Sequence, residues 1–277
     1  MDFIELLKVI LLGIVEGITE WLPVSSTGHM YLIDEFIPLN MSEAFKEMFF
    51  VVIQLGAIFA VILAFFKQLC PVGIKDKKLT LEKDVCCMWL KVVVACIPTA
   101  ILGFLLDDFL EEHLYNGVVI AIMLIVYGVA FIAVEIWNKK RTPRINSIAE
   151  ITFQTAILFG LFQSLAMIPG TSRSGATIVG ALLIGVSRTT AAEFSFFLAI
   201  PTMFGASLLK AVKFLLEGNE LIFAEISALI VGMAVAFVVS LAVIRFLMSF
   251  VKKHDFKIFG WYRIALGVVV LAVFLLV

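Results

Sequence analysis

The stretch "VEGITEWLPVSSTGHM", residues 15–30, places two glutamates, a proline, two serines and a histidine inside an apolar region. A plain membrane helix is a poor host for these residues, since a charged side chain at membrane depth costs about 2.5 to 3.5 kcal/mol on insertion scales. Non-helical backbone is tolerated at that depth only where protein or water surrounds it. We therefore predict a re-entrant helix-loop-helix hairpin over 3–36, with "LPVSSTGH" at its tip.

The composition of the whole chain identifies an integral membrane protein. Of its 277 residues, 62% are hydrophobic and 16% are charged, whereas soluble domains are about 45 to 50% apolar. The net charge is −1 and the basic residues lie in short clusters, which excludes nucleic acid as a partner. Six apolar runs reach the roughly 20 residues that a crossing requires. They lie near 47–66, 87–106, 117–137, 190–212, 222–248 and 258–277.

A second interrupted region, 150–187, carries the segment "IPGTSRSGAT" and predicts a second re-entrant hairpin. The segments "GIVEGITEWLPVSSTG" and "GLFQSLAMIPGTSRSG" align with one gap, which pairs Pro23 with Pro169 and Ser26 with Ser172 at an offset of 146 residues. "FLEEH" and "FVKKH" repeat at an offset of 141 residues. We predict one membrane domain, 1–277, made of two copies, about 1–137 and about 138–277, each a hairpin followed by three crossings.

Three crossings per copy is an odd number, so the second copy enters the membrane from the opposite side and the repeats are inverted. Basic residues follow the first, third and fifth crossings, and the positive-inside rule assigns those loops to the cytoplasm; Lys210 and Lys213 are exceptions. Both termini are then external. The predicted fold class is an all-α polytopic membrane protein whose two hairpin tips converge near the midplane, where inverted-repeat proteins place their sites.

Glu16 and Glu20 are one helical turn apart, so their carboxylates share one face. They form either a hydrogen-bonded buried pair or a site for proton transfer or for Mg²⁺ or Ca²⁺, with substrate phosphates and water completing a partial cage. The planar fork of Arg173 suits phosphate oxygens, and without substrate it could pair with Glu16 or Glu20. His29, in the same tip as the serines, can exchange a proton near neutral pH.

Each returning helix begins at a tip, so its free N–H groups and positive dipole end favour an anion there. Ser25 or Ser26 is placed to cap the first returning helix, and Gly170 permits close backbone approach at the second. Thr27, Thr171 and Ser174 are equally suited to capping or helix packing. Acids, hydroxyls, a histidine, an arginine and two positive helix ends predict phosphoryl transfer on a phosphorylated lipid.

At these residues the sequence resembles the undecaprenyl-diphosphate phosphatase family, the bacitracin-resistance proteins of the BacA/UppP type. The family's motif of Glu or Gln, three residues and Glu, followed by Pro-Val-Ser-Ser-Thr-Gly-His, matches Glu16, Glu20 and residues 23–29. Its motif Pro-Gly-x-Ser-Arg-Ser-x-x-Thr matches residues 169–177. The resemblance implies metal-dependent hydrolysis of a C55 isoprenoid diphosphate in the bacterial cytoplasmic membrane, which recycles the carrier lipid for cell-wall polymers. It also implies bacitracin resistance and a cavity open to the outer face.

Carried over by position, the resemblance assigns Arg173 to clamp the diphosphate and the pair Glu16 and Glu20 to hold the metal or orient the nucleophile. Ser26 is the favoured nucleophile, with His29 exchanging its proton and Glu20 assisting. Attack by His29 itself, or by water with His29 as base, stays open. The predicted substrate-binding residues are Ser25, Thr27, Gly170, Ser172, Ser174 and Thr177.

Two other classes of function compete with an enzyme. A transporter or flippase for a phosphorylated polyprenyl lipid fits broken helices around a midplane anion site, but leaves the serine and histidine without a role. A structural scaffold is opposed by the buried charges. Gly13 and Gly17 form a small-xxx-small pair that permits close helix packing, within the chain or in a homodimer.

Overall fold

The computed structural model describes residues 1–75 and 78–276 and is almost entirely helical. Residues 76, 77 and 277, the last of which ends the predicted run 258–277, lie outside the described residues. The helices are α1 Phe3–Thr19, α2 Ser26–Phe36, α3 Glu43–Val52, α4 Gln54–Ala64, α5 Phe66–Leu69, α6 Lys83–Leu114, α7 Gly117–Asn138, α8 Phe153–Ser164, α9 Arg173–Leu183, α10 Arg188–Leu216, α11 Phe223–Val251 and α12 Lys257–Leu276. Two short strands, β1 Val72–Lys75 and β2 Lys78–Leu81, pair antiparallel before α6.

Six helical spans are long and apolar enough to cross a membrane, which confirms the six crossings and the all-α polytopic fold class. The first span combines α3 and α4, and the second is the apolar part of α6, which continues beyond the predicted run to Leu114. The spans are Glu43–Ala64, Lys83–Leu106, Gly117–Asn138, Arg188–Leu216, Phe223–Val251 and Lys257–Leu275.

Both interrupted regions form helix-loop-helix hairpins. The first consists of α1 and α2, and the second of α8 and α9. Each returning helix is capped by a serine with positive φ: Ser25 (φ 73°) accepts from the Gly28 N–H, and Ser172 (φ 70°) accepts from the Gly175 N–H. A residue with a Cβ rarely adopts this conformation, which is found at functional turns. Both tips therefore hold strained backbone; the re-entrant path itself stays a prediction.

The two caps correct the predicted alignment of the repeats. Ser25 and Gly28 correspond to Ser172 and Gly175 at a constant offset of 147 residues, without a gap. The pairing of Ser26 with Ser172, which followed from aligning the two prolines, is wrong. The cap that starts the helix, and not the proline, is the equivalent point of the two tips.

Corresponding helices of the two predicted copies pack in corresponding ways. Helix α1 packs on α11, as α8 packs on α6, and the two last helices of the copies, α7 and α12, pack on each other. The duplication and its inverted topology stay predictions. At Gly13 and Gly17 an added Cβ would lie 2.8 Å from the carbonyl oxygens of Gly232 and Ala236 on α11. This small-xxx-small pair therefore packs inside the chain.

Candidate active site

Glu20 contacts both hairpins. It ends α1 and is 7% exposed. One carboxylate oxygen, Oε2, accepts a hydrogen bond from Ser26 Oγ at 2.7 Å, and the other, Oε1, accepts from Arg173 Nη2 at 3.1 Å. The Glu20 carbonyl also accepts from Ser174 Oγ at 3.3 Å. One buried glutamate thus connects the start of α2 to the start of α9, and Glu20 is the acid that pairs with Arg173.

Arg173, the first residue of α9, lies against Glu20 and α10. Its Nη1 donates to the Ser195 carbonyl at 2.8 Å, and its Cζ lies 5.8 Å from the centre of the Trp21 ring. Its Nε is buried and has no hydrogen-bond partner among the described residues. Buried N–H groups are nearly always hydrogen-bonded, so this one marks a place where an oxygen of a ligand would accept a hydrogen bond.

Glu16 lies one helical turn before Glu20 and is only 1% exposed. Its Oε1 is buried without a hydrogen-bond partner in the described part of the chain. An orphaned carboxylate oxygen beside a second carboxylate suits a proton or a hard cation. Among the side chains that the structure describes, however, no group of three or more His, Cys, Asp or Glu is placed to hold a metal. The two glutamates fit Mg²⁺ or Ca²⁺ only as a partial cage that phosphate oxygens and water complete.

His29 is held by hydrogen bonds at both ring nitrogens. Its Nδ1 lies 2.7 Å from the Ser25 carbonyl, and its Nε2 lies 2.7 Å from the Tyr262 hydroxyl. A carbonyl only accepts, so Nδ1 carries the hydrogen and Nε2 of the neutral ring accepts from Tyr262. The Tyr262 ring also stacks on His29, with centres 5.6 Å apart and planes at 6°. The Ser26 hydroxyl donates to Glu20, the residue predicted to assist, and the transfer of its proton to His29 stays a prediction.

The remaining predicted residues of the first tip are Ser25 and Thr27. Ser25 caps α2 and its carbonyl orients His29, so it acts on the site through the backbone. Thr27 is half-buried in the first turn of α2, and the described residues offer no side-chain hydrogen bond to it. Direct contact of either residue with substrate stays a prediction.

In the second tip, Gly170 and Thr177 have clear structural partners. At Gly170 (φ 87°) an added Cβ would lie 2.5 Å from the Ile120 carbonyl oxygen, so its close approach is to α7. Thr177 is fully buried and its Oγ1 lies 2.6 Å from Ser195 Oγ, which anchors α9 to α10. These contacts give both residues a structural role, and their roles in binding substrate stay predictions. Ser172, the cap, is 3.2 Å from Ser174 through their hydroxyl oxygens.

Arg263, on α12, joins the two tips and was missed by the sequence analysis. It is fully buried. Its Nη1 donates to the Pro23 carbonyl at 3.2 Å, and its Nη2 donates to the carbonyls of Gly170 at 2.8 Å and Thr171 at 2.9 Å. An arginine inside a predicted crossing is a signal of function by its cost alone, and that signal was available in the run 258–277. Tyr262 and Ser195 gave no comparable signal, because hydroxyl groups are tolerated in membrane helices.

The geometry supports chemistry on an anionic phosphate group. Helices α2 and α9 both begin beside Glu20, which their first residues Ser26 and Arg173 contact, so the positive ends of both helix dipoles lie at this junction. Arg173 offers a free N–H donor, and Glu20 holds a serine hydroxyl in a hydrogen bond that can become a proton transfer. Positioning, charge stabilisation and an activated hydroxyl are the requirements of phosphoryl transfer.

Comparison with known proteins agrees with this chemistry. A family described as "Bacitracin resistance protein BacA" matches residues 9–269. An "Undecaprenyl-diphosphatase" of Enterococcus faecalis is 63% identical over 99% of this chain and 98% of its own length. One of Desulfitobacterium hafniense is 58% identical with the same coverage, and "Undecaprenyl-diphosphatase 1" of Clostridium acetobutylicum is 58% identical over 100% of both chains.

Proposed function

The chain belongs to the BacA family of bacitracin resistance proteins, and we propose that the site between its two hairpin tips hydrolyses undecaprenyl diphosphate to undecaprenyl phosphate and inorganic phosphate. The protein is an undecaprenyl-diphosphatase with a multi-pass membrane fold, and its reaction recycles a carrier lipid of cell-wall synthesis. The observation that supports our placement of the reaction is the Glu20 carboxylate, which holds Ser26 on one oxygen and Arg173 on the other.

Binding begins with exchange of partners at Arg173. The diphosphate oxygens accept from its unpartnered Nε and replace Glu20 at Nη2, since a bidentate guanidinium–phosphate contact is strong and directional. The N-terminal N–H groups of α2 and α9 bind the remaining charge. This exchange leaves Ser26 as the side-chain partner of Glu20.

Ser26 is the proposed nucleophile and Glu20 its base. Ser26 Oγ forms a bond to the terminal phosphorus while the bond from that phosphorus to the bridging oxygen breaks, so that undecaprenyl phosphate leaves. Glu20 accepts the Ser26 proton. Water then attacks the phosphorus of the phosphoserine and the Oγ–phosphorus bond breaks. Glu20 returns its proton to Ser26, and inorganic phosphate leaves with the protons of the water. Arg173 stabilises the negative charge on the transferred group in both steps.

Glu16 and Glu20 would hold the divalent cation, Mg²⁺ or Ca²⁺, which when bound neutralises diphosphate charge. The orphaned Glu16 oxygen supports this assignment. His29 holds the start of α2 through the Ser25 carbonyl, and its Nε2 can exchange a proton with the Tyr262 hydroxyl that it contacts. Attack by His29 on phosphorus would require Nε2 to release the Tyr262 hydroxyl, which makes it the second choice.

The alternative of a transporter or flippase is not favoured, because the relatives are named as diphosphatases. The cytoplasmic membrane of a bacterium, external termini and a cavity open to the outer face complete the proposal. The positive-inside distribution of basic residues supports this orientation.

The test uses the purified protein in detergent. It measures the release of inorganic phosphate from undecaprenyl diphosphate. We expect release that requires Mg²⁺ or Ca²⁺ and that falls at least about 100-fold in Arg173→Ala, the loss typical of one transition-state donor. Arg245→Ala is the matched control, because Arg245 is an exposed arginine on α11, outside both hairpins. Binding of the lipid without release by the unmodified protein would contradict the proposal.

A further inference from the structure

A large groove lies at the opposite end of α9 from Arg173, and we call it the basic groove. It has a volume of about 1040 Å³ and is formed by the ends of α7, α9, α10, α11 and α12 with the loop after α7. Helix α9 has 11 residues, so the groove and the start of α9 are separated by about 16 Å at 1.5 Å per residue. The charged residues that line it are Glu135, Lys139, Lys140, Arg141, Arg144, Arg188, Lys252, Asp255 and Lys257.

The basic groove carries an excess of positive charge after its own ion pairs are formed. Arg188 pairs with the buried Glu135, and Lys257 pairs with Asp255 at 2.9 Å. The other basic residues of the groove have no carboxylate within ion-pair distance among the described residues, and all are exposed. They are Lys139, Lys140, Arg141, Arg144 and Lys252. Like charges concentrated in one concave surface favour an anionic ligand.

The loop after α7 forms one wall of the groove, and backbone hydrogen bonds hold this wall in place. The N–H groups of Arg144 and Ile145 both donate to the Gly185 carbonyl, at 2.7 and 3.2 Å, and the Ser187 N–H donates to the Ile145 carbonyl at 2.8 Å. Gly185 has φ 86°, which suits glycine at this turn between α9 and α10. The groove is therefore preorganised, and a ligand would not have to order the loop.

The surroundings of the groove indicate a ligand that lies at the depth of the lipid headgroups. It is formed where membrane-spanning helices end, and Trp137, 51% exposed, lies beside it with the Arg141 Cζ 4.4 Å from its ring centre. Tryptophan and basic residues at helix ends are typical of the membrane interface, and basic pockets between membrane helices bind phosphate headgroups. We propose that the basic groove binds the phosphate group of an anionic bilayer lipid, at a site separate from the one that hydrolyses the diphosphate.

Lipid binding to the full chain in detergent micelles tests this proposal. The probes are phosphatidylglycerol, phosphatidylcholine as the zwitterionic control, and inorganic phosphate as the soluble source of the same group, with bound lipid counted by native mass spectrometry. The groove variant combines Lys140→Gln, Arg144→Gln and Lys252→Gln. The matched control combines Lys67→Gln, Lys83→Gln and Lys213→Gln, three exposed lysines outside the groove.

We expect phosphatidylglycerol affinity to fall about 100-fold in the groove variant, since each basic residue near a lipid surface contributes a factor of about 5. The control variant should bind as the unmodified chain does, and both variants should keep phosphate release in micelles without anionic lipid. Equal affinity of the two variants, or equal binding of phosphatidylcholine, would overturn the proposal. Binding of inorganic phosphate in the groove without any preference for phosphatidylglycerol would also overturn it, because the ligand would then be soluble.

Discussion

Replacing Arg263 with methionine should loosen the junction between the two hairpin tips. The buried guanidinium donates to the carbonyls of Pro23 in the first tip and of Gly170 and Thr171 in the second, at 3.2, 2.8 and 2.9 Å. Methionine fills similar volume but donates nothing. The three carbonyls would then lose their common donor inside the protein.

The magnitude follows from these three bonds. Each buried carbonyl left without a partner costs about 1 to 3 kcal/mol of folding free energy. Removing the buried cation offsets part of this loss, because the folded protein no longer carries the desolvation penalty of the charge. A net loss of about 3 kcal/mol corresponds to a fall of about 6 to 12 °C in Tm, at roughly 2 to 4 °C per kcal/mol for chains near this size.

Thermal unfolding of the purified protein in detergent, read beside phosphate release, measures this effect. Arg263→Met should lower both Tm and phosphate release, and Arg263→Lys should recover only part of each, because one ammonium cannot reach both tips as a planar fork does. Arg245→Met, at an exposed arginine on α11, is the matched control. An Arg263→Met protein with unchanged Tm and unchanged phosphate release would refute the role we assign to this arginine.

Three further predictions concern the site. Tyr262→Phe keeps the stacked ring but removes the hydroxyl from His29 Nε2, so phosphate release should fall about fivefold, the value of one hydrogen bond of about 1 kcal/mol; an unchanged rate and pH profile would contradict this contact. Gly170→Ala should lower Tm by several degrees, because φ 87° and a Cβ 2.5 Å from the Ile120 carbonyl oxygen both oppose a side chain; wild-type Tm would argue against the close packing on α7. A chelator should abolish phosphate release and added Mg²⁺ or Ca²⁺ should restore it, without a change in the helical circular dichroism signal; full activity in the chelator would remove the metal from the proposal.

The crossings and the place of the hairpins could be predicted because they depend on local composition. A bilayer demands about 20 apolar residues per crossing, and the polar residues around Pro23 and Pro169 cannot continue such a helix without cost. The side chains that could carry chemistry were found for the same reason, since Glu16, Glu20 and Arg173 are expensive in an apolar region.

Contacts between distant segments were beyond the sequence. That Ser26 donates to Glu20 depends on how α1 and α2 turn at the tip, and from the sequence Glu20 was expected only to assist His29. Arg263 bonds only to main-chain carbonyls, which have no sequence signature. One wall of the basic groove likewise depends on hydrogen bonds between the loop after α7 and the turn before α10.

We propose that the two hairpins make one catalytic unit through Glu20 and Arg173. The test is a single-turnover measurement of phosphate release from undecaprenyl diphosphate. It compares Glu20→Gln, Arg173→Met and the double variant. We predict that each single variant loses at least about 100-fold and that the double variant loses no more than the worse single one, because residues that act as a unit are not additive. Losses that multiply in the double variant would show two independent residues and contradict the claim.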